Sequence, residues 1–264
     1  MRDATRRYPF LALAVLTALA CATPSGAQVP PIWDHYKVYQ VLNPVTGAPP
    51  VVLTDQFIAN QQHSVFALEL FMNPTEKQVP GLPPFLITNP RLHYTWWRIS
   101  GHPWNATVAA LNQFGDQTLQ VFDPVYLLNP AVKNETPPGT LPPANHYKCY
   151  GCQGQPVNRP VSLTDQFGNW QATATIPRFF CNPVEKRNLA NGNLYPIVDP
   201  DQHYICYELQ PPDQRLFTGV VTDQFVTQRA LELQPGRLLC VPTRKERVTA
   251  NRTDTWGKIK TIYR

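Results

Sequence analysis

The sequence predicts an all-β protein built from four internal copies of a unit of roughly 55 residues. Three observations lead there: markers that recur at fixed spacing, apolar residues that alternate between them, and a composition that disfavours helices. The first marker is His-Tyr, at His35-Tyr36, His93-Tyr94, His146-Tyr147 and His203-Tyr204, at intervals of 58, 53 and 57 residues. A second marker, Asp55-Gln56-Phe57, Asn112-Gln113-Phe114, Asp165-Gln166-Phe167 and Asp223-Gln224-Phe225, begins 19 or 20 residues after each histidine. A third closes each unit at Met72-Asn73-Pro74, Leu128-Asn129-Pro130, Cys181-Asn182-Pro183 and Cys240-Val241-Pro242. Five residues after the first member of each closing marker stands a lysine: Lys77, Lys133, Lys186 and Lys245. Coincidence does not set three markers in one order and spacing four times.

Within the copies, Val51 and Leu53, Val161 and Leu163, and Leu231 and Leu233 follow the two-residue period of strands. Proline, 29 of 264 residues, is about twice as frequent as usual, and charged residues at 16% fall short of the usual share of about 25%. Long helices are therefore not expected, and each copy should hold three or four short strands. Proline-rich connections at residues 79–90, 137–143 and 210–212 separate the copies, as suits a residue that cannot donate to a sheet ladder. The middle one places a domain boundary near residue 141, with two copies in 28–140 and two in 141–245. A unit of this size buries too little surface alone, so two tandem β-sandwich-like domains of two copies each are expected, with a four-bladed propeller as the alternative.

Residues 1–27 read as an export signal: Arg2, Arg6 and Arg7 precede an apolar run at 10–20, and Ser25-Gly26-Ala27 ends it with small residues. The run is too short for a span, which needs about 20 residues, and no later stretch is apolar enough to cross a bilayer. The expected location is secreted or periplasmic. The net charge of +5 falls to +3 once the signal is removed. From Thr243 onward seven basic residues face two acidic ones, so residues 246–264 form a basic tail.

Export permits disulfides. Cys149 and Cys206 both stand three residues after an opening histidine, and Cys181 and Cys240 both open a closing marker. The other copies carry Val38 with Met72 and Trp96 with Leu128 at the same two positions. Positions that change together between cysteine pairs and apolar pairs touch in a core, so Cys149–Cys181 and Cys206–Cys240 are the expected bridges. Cys152 is left unpaired, and Cys149-x-x-Cys152 has no second such pair to complete a zinc site.

The runs His146-Tyr147-Lys148-Cys149-Tyr150, Asp165-Gln166-Phe167-Gly168 and Phe180-Cys181-Asn182-Pro183-Val184-Glu185-Lys186 resemble an uncharacterised family of exported bacterial repeat domains, a domain of unknown function. The resemblance is strongest over residues 145–245. It implies export and repetition, and brings no activity with it.

No nucleophile elbow, zinc-binding helix, phosphate loop or dinucleotide fingerprint is present, so no catalytic residue, metal or cofactor is expected. A feature repeated four times is more readily a requirement of the fold than a catalytic group. The four histidines and the aspartates of Asp-Gln-Phe are accordingly read as hydrogen-bonding and turn residues. The repeated lysines could pair with those aspartates across each copy. Function is better sought where the copies differ. Trp104 and Trp170, in loop-like surroundings, could stack on a sugar or anchor a partner, and Arg244, Lys245, Arg247, Lys258 and Lys260 could bind an anionic polymer. The expected function is a non-catalytic module that binds an envelope glycan or another protein. A secreted hydrolase acting on polysaccharide or protein is the alternative from another class, and a structural spacer is the third.

Overall fold

The computed structural model describes residues 33–212 and 215–245. The expected signal, residues 1–27, and the basic tail, residues 246–264, lie outside them. Every regular element among the described residues is a β-strand, which agrees with the all-β expectation. The first copy forms β1 (His35–Thr46), β2 (Val51–Thr54), β3 (Gln61–His63) and β4 (Val65–Gln78). The second forms β5 (His93–Ile99), β6 (Ala106–Asn112) and β7 (Gly115–Lys133). The third forms β8 (His146–Gln153), β9 (Arg159–Asp165), β10 (Gly168–Asn188) and β11 (Leu194–Tyr195), and the fourth β12 (His203–Gln210), β13 (Phe217–Thr222) and β14 (Arg229–Lys245).

Each opening strand pairs antiparallel with the closing strand of its own copy: β1 with β4, β5 with β7, β8 with β10 and β12 with β14. Each closing strand then pairs with the opening strand of the next copy, β4 with β5, β7 with β8, β10 with β12, and finally β14 with β1. Eight strands thus close into a ring. The expected division into two tandem sandwiches is corrected accordingly: β7 pairs with β8 directly across the proline-rich segment 137–143, and copies one and four meet through β1 and β14. The physical reason is the edge. An isolated two-strand unit exposes unpaired N–H and C=O groups on both sides, and only closure satisfies all of them.

Residues alternate between the inside and outside of the ring, and the inside is stacked in layers. In the first layer Tyr36, Tyr94, Tyr147 and Tyr204 form a square, each ring edge-on to the next at centroid distances of 5.2–5.8 Å. Each tyrosine stands opposite the proline of a closing marker: Pro74, Pro130, Pro183 or Pro242. In the second layer Val38 faces Met72, Trp96 faces Leu128, and the disulfides Cys149–Cys181 and Cys206–Cys240 occupy the equivalent places. The tyrosines and all four half-cystines are buried, so the ring encloses a packed core and not a channel.

Outside the ring the remaining strands cover two further apolar clusters, one around Tyr150, Phe180, Ile205 and Tyr207, the other around Tyr39, Phe71, Trp97 and Leu127. These outer strands cross between opposite copies. β2 adds to the end of β10 and β9 to the end of β4, while β6 adds to β14 and β13 to β7. Copies one and three therefore exchange strands, as do copies two and four. In copies two and three the Gln-Phe turn is tight, and Gly115 and Gly168 close it at φ of +107° and +114°, where a side chain would be strained.

Candidate functional site

The Asp-Gln-Phe segments sit where the exchange takes place. One carboxylate oxygen of Asp55, Asp165 and Asp223 accepts backbone N–H bonds from its own turn at 2.6–2.9 Å, as Asn112 does through its amide oxygen. This is the turn chemistry read from the residue type. The other oxygen reaches the opposite copy. Asp165 accepts from Tyr39, Asp55 from Tyr150 at 2.6 Å, and Asp223 from the Trp97 indole at 2.8 Å and from Thr95. The phenylalanine of each such turn lies under a lysine of the preceding copy, with Lys77 over Phe114, Lys133 over Phe167, Lys186 over Phe225 and Lys245 over Phe57 at 4.1–4.7 Å.

The lysines do not meet an aspartate of their own copy, as one reading of the sequence expected. Lys77 and Lys186 donate instead to the amide oxygens of Gln113 and Gln224, which belong to the next copy and also bond His35 and His146. The exchange of outer strands carries each turn away from the lysine end of its own closing strand. Burial holds Lys77 and Lys186 down to about 7, and leaves Lys133 and Lys245 near 8. The histidines are equally enclosed. Burial and the neighbouring lysine press His35 and His146 well below the usual imidazole range, while burial holds His93 at about 3 and His203 at about 4. Neutral imidazoles locked to glutamine, backbone or aromatic partners serve the fold.

One layer of the ring is different. Beyond the cysteine layer the opening strands place Gln40, Arg98, Gly151 and Glu208, opposite Leu70, Tyr126, Phe179 and Leu238 of the closing strands. None of the opening four is repeated, whereas His and Tyr at the other end are the same in every copy. Register shifts interrupt each closing strand here, near Leu68, Pro124, Pro177 and between Gln234 and Leu238. Such bulges re-aim side chains at a rim. Of this layer Gln40, Glu208, Leu70, Tyr126, Phe179 and Leu238 line an open pocket of about 440 Å³ at the mouth of the ring.

Its floor is aromatic: Tyr126 and Phe179 lie 5.5 Å apart, each edge-on to the buried Trp96 at 5.5 and 5.7 Å. Its wall is charged. The Arg178 guanidinium donates twice to Glu208, at 2.8 and 2.5 Å, and this contact holds the Glu208 carboxyl below its usual range. Beside the wall, on the lining Tyr126, Arg98 donates twice to Glu69, at 3.1 and 2.9 Å, and the Tyr126 hydroxyl donates to the same oxygen at 2.9 Å. Arg98 also lies over the Tyr126 ring at 4.6 Å. Arg237 completes the wall. It follows Gly236, whose added Cβ would stand 2.2 Å from the Val38 carbonyl oxygen, so only glycine lets this bulge press against β1.

The residues singled out in the sequence lie elsewhere. Trp104 is half-buried, stacked on Phe57 at 5.6 Å, and Lys245 lies over the same ring. Trp170 is half-buried against the same outer cluster, with Arg215 at 5.8 Å. Both tryptophans cover the outer core rather than stand free. Arg244 is exposed on β14, and Arg247, Lys258 and Lys260 lie outside the described residues. Cys152 is buried on the outer face of β8, where burial pushes its thiol up to about 12. Among the described residues no group of three or more His, Cys, Asp or Glu is arranged to hold a metal. The mouth residues carried one signal in the sequence: they occupy equivalent positions and differ in every copy.

A family described as a repeat of unknown function (DUF7450) matches residues 93–242, from the second opening histidine to the last closing marker. No curated protein and no solved structure matches the chain.

Proposed function

We propose, from the premise that the chain belongs to the family of repeats of unknown function (DUF7450), that this member is a non-catalytic binding module whose ligand enters the mouth of the ring. One observation carries the reading. A scaffold of four copies keeps its tyrosine, histidine and lysine layers constant and varies the layer at the other end of the ring, which opens to solvent as a pocket with an aromatic floor and charged side chains. Variation there costs the ring nothing and gives the pocket four different walls. A concave site of several hundred Å³ with an aromatic floor and a few placed polar groups has the make-up of a small-molecule or sugar site. Two disulfides support an oxidising, extracytoplasmic location, in keeping with residues 1–27 as an export signal.

Glu208 is the carboxylate that lines the pocket and Glu69 lies beside it on the Tyr126 hydroxyl, and each is already bonded twice by a guanidinium. They are organised as acceptors in a wall rather than as a free acid and base. The test is gel retardation in a panel of soluble polysaccharides and cell-wall fragments. The secreted chain should be retarded by a panel member, and Phe179→Ala should abolish the effect with an unchanged circular dichroism spectrum. Retardation that survives Phe179→Ala would move the site away from the mouth. Release of reducing ends would favour the hydrolase.

A further inference from the structure

The charge of the mouth does not balance, and this points to its ligand. Two guanidiniums, from Arg178 and Arg237, line the pocket against one carboxylate, Glu208, while Arg98 and Glu69 pair with each other beside the lining Tyr126. The two carboxylates are committed: Glu69 to Arg98 at 2.9 Å and Glu208 to Arg178 at 2.5 Å. Arg237 is exposed, close enough to feel the Glu208 charge but outside that ion pair. It follows the bulge at Gly236, which packs closely against Val38 of β1. A guanidinium presented beside an already neutralised pair is a ready partner for a carboxylate, which it can bind through two parallel N–H bonds.

Resting on the reading of the mouth as the ligand site, we propose that it takes an acidic sugar, a hexuronate unit of a polysaccharide. The chemistry of such a ring matches the pocket face by face. A pyranose offers an apolar face of C–H groups to an aromatic platform, which Tyr126 and Phe179 supply, backed by Trp96. Its hydroxyls both donate and accept. The Arg178–Glu208 pair, which keeps a quarter to a half of its side-chain surface exposed, presents donors and acceptors side by side to meet them. Its carboxylate goes to Arg237. The pocket, about 440 Å³, has room for one or two such rings and not for a folded partner.

The experiment is isothermal titration of the secreted chain with short oligomers of galacturonate, glucuronate and mannuronate, each beside its carboxyl-reduced neutral counterpart. The expected result is that an acidic oligomer binds about tenfold or more tightly than its neutral partner, a difference of roughly 1.4 kcal/mol. That preference should shrink with added salt and vanish in Arg237→Met, where the acidic oligomer and its neutral partner should bind alike. Phe179→Ala should weaken both members of a pair. Equal affinity for acidic and neutral oligomers, or a preference that persists in Arg237→Met, would overturn the assignment of a uronate to Arg237 and leave the mouth as a binding site. Failure of every oligomer to bind at millimolar concentration would overturn the uronate proposal, and the polysaccharide panel would then decide the mouth reading on its own.

Discussion

Asp55, Asp165 and Asp223 each divide their two oxygens between a turn and a distant side chain, and the chemistry of that distant group decides how replaceable the acid is. Asp165 and Asp55 face tyrosine hydroxyls, which can donate or accept. Copy two shows the reversal already made, since Asn112 donates its amide to the Tyr207 hydroxyl at 2.9 Å. Asp223 faces the Trp97 indole, a donor only, together with Thr95. An asparagine there must either turn its NH₂ towards an N–H or give up the turn bonds to Phe225 and Val226. Asp223→Asn should therefore destabilise by about 1–3 kcal/mol, the cost of a buried donor left without an acceptor. Asp165→Asn should cost less than about 1 kcal/mol, since the Tyr39 hydroxyl can turn round. Urea denaturation of the two variants checks the order, and an equal loss in both would refute it.

At the level of strands, the layer of facing pairs explains what comparison of the copies revealed. Val38 with Met72 and Trp96 with Leu128 stand where the half-cystines stand, so the disulfides fill positions that elsewhere are plain packing. The contact was legible because a pair directly across a ladder must change together. Replacing Cys206 by Val and Cys240 by Met copies the pair of copy one and should keep the fold. The variant should lose about 3–4 kcal/mol in the chain-entropy model of a loop with 34 residues of separation. Its far-ultraviolet spectrum should be unchanged and its denaturation midpoint lower. A collapse of the spectrum would mean that the bridge, and not the packed layer, holds the ring. The partners of each strand beyond its own copy were not legible. Spacing and alternation describe one unit, whereas the pairing of β14 with β1 depends on all four being present. The prolines at 137–143 looked like a boundary because they mark a loop, and a loop outside a ring leaves the ladder of β7 and β8 intact. The mouth was hidden for the same reason: Gln40, Arg98, Gly151 and Glu208 were visible as divergent positions, but only closure makes them neighbours.

Taken whole, the molecule buries five histidines, the four of the opening markers and His63, with several lysines and the tyrosine square in surroundings that reject charge, and this fixes how its stability responds to pH. As pH falls through 6.5 the unfolded chain takes up protons on its imidazoles, while His203 in the folded state resists until about 4 and His93 until about 3. The unfolded state binds more protons across that window, so stability falls as pH falls. The lysines act in the same direction at higher pH. Unfolded lysine holds its proton up to about 10.5, but Lys77 and Lys186 release theirs near 7 and Lys133, Lys148 and Lys245 near 8. Between those values the unfolded chain again carries the excess of protons, and stability continues to rise with pH. The tyrosines reverse the trend. Burial raises Tyr36, Tyr94, Tyr147 and Tyr204, so above 10 the unfolded chain loses phenol protons that the folded chain keeps, and stability falls. The optimum should lie at about pH 9–10, above the range of about 5–8 in which most proteins are most stable. Thermal unfolding from pH 4 to 11 at constant ionic strength tests this, with Tm expected to climb through neutrality and turn over past 10. A maximum between pH 5 and 7 would mean that the histidines and lysines reach water in the folded protein, and that the exchange of strands between opposite copies is looser than the packing of their Asp-Gln-Phe turns requires.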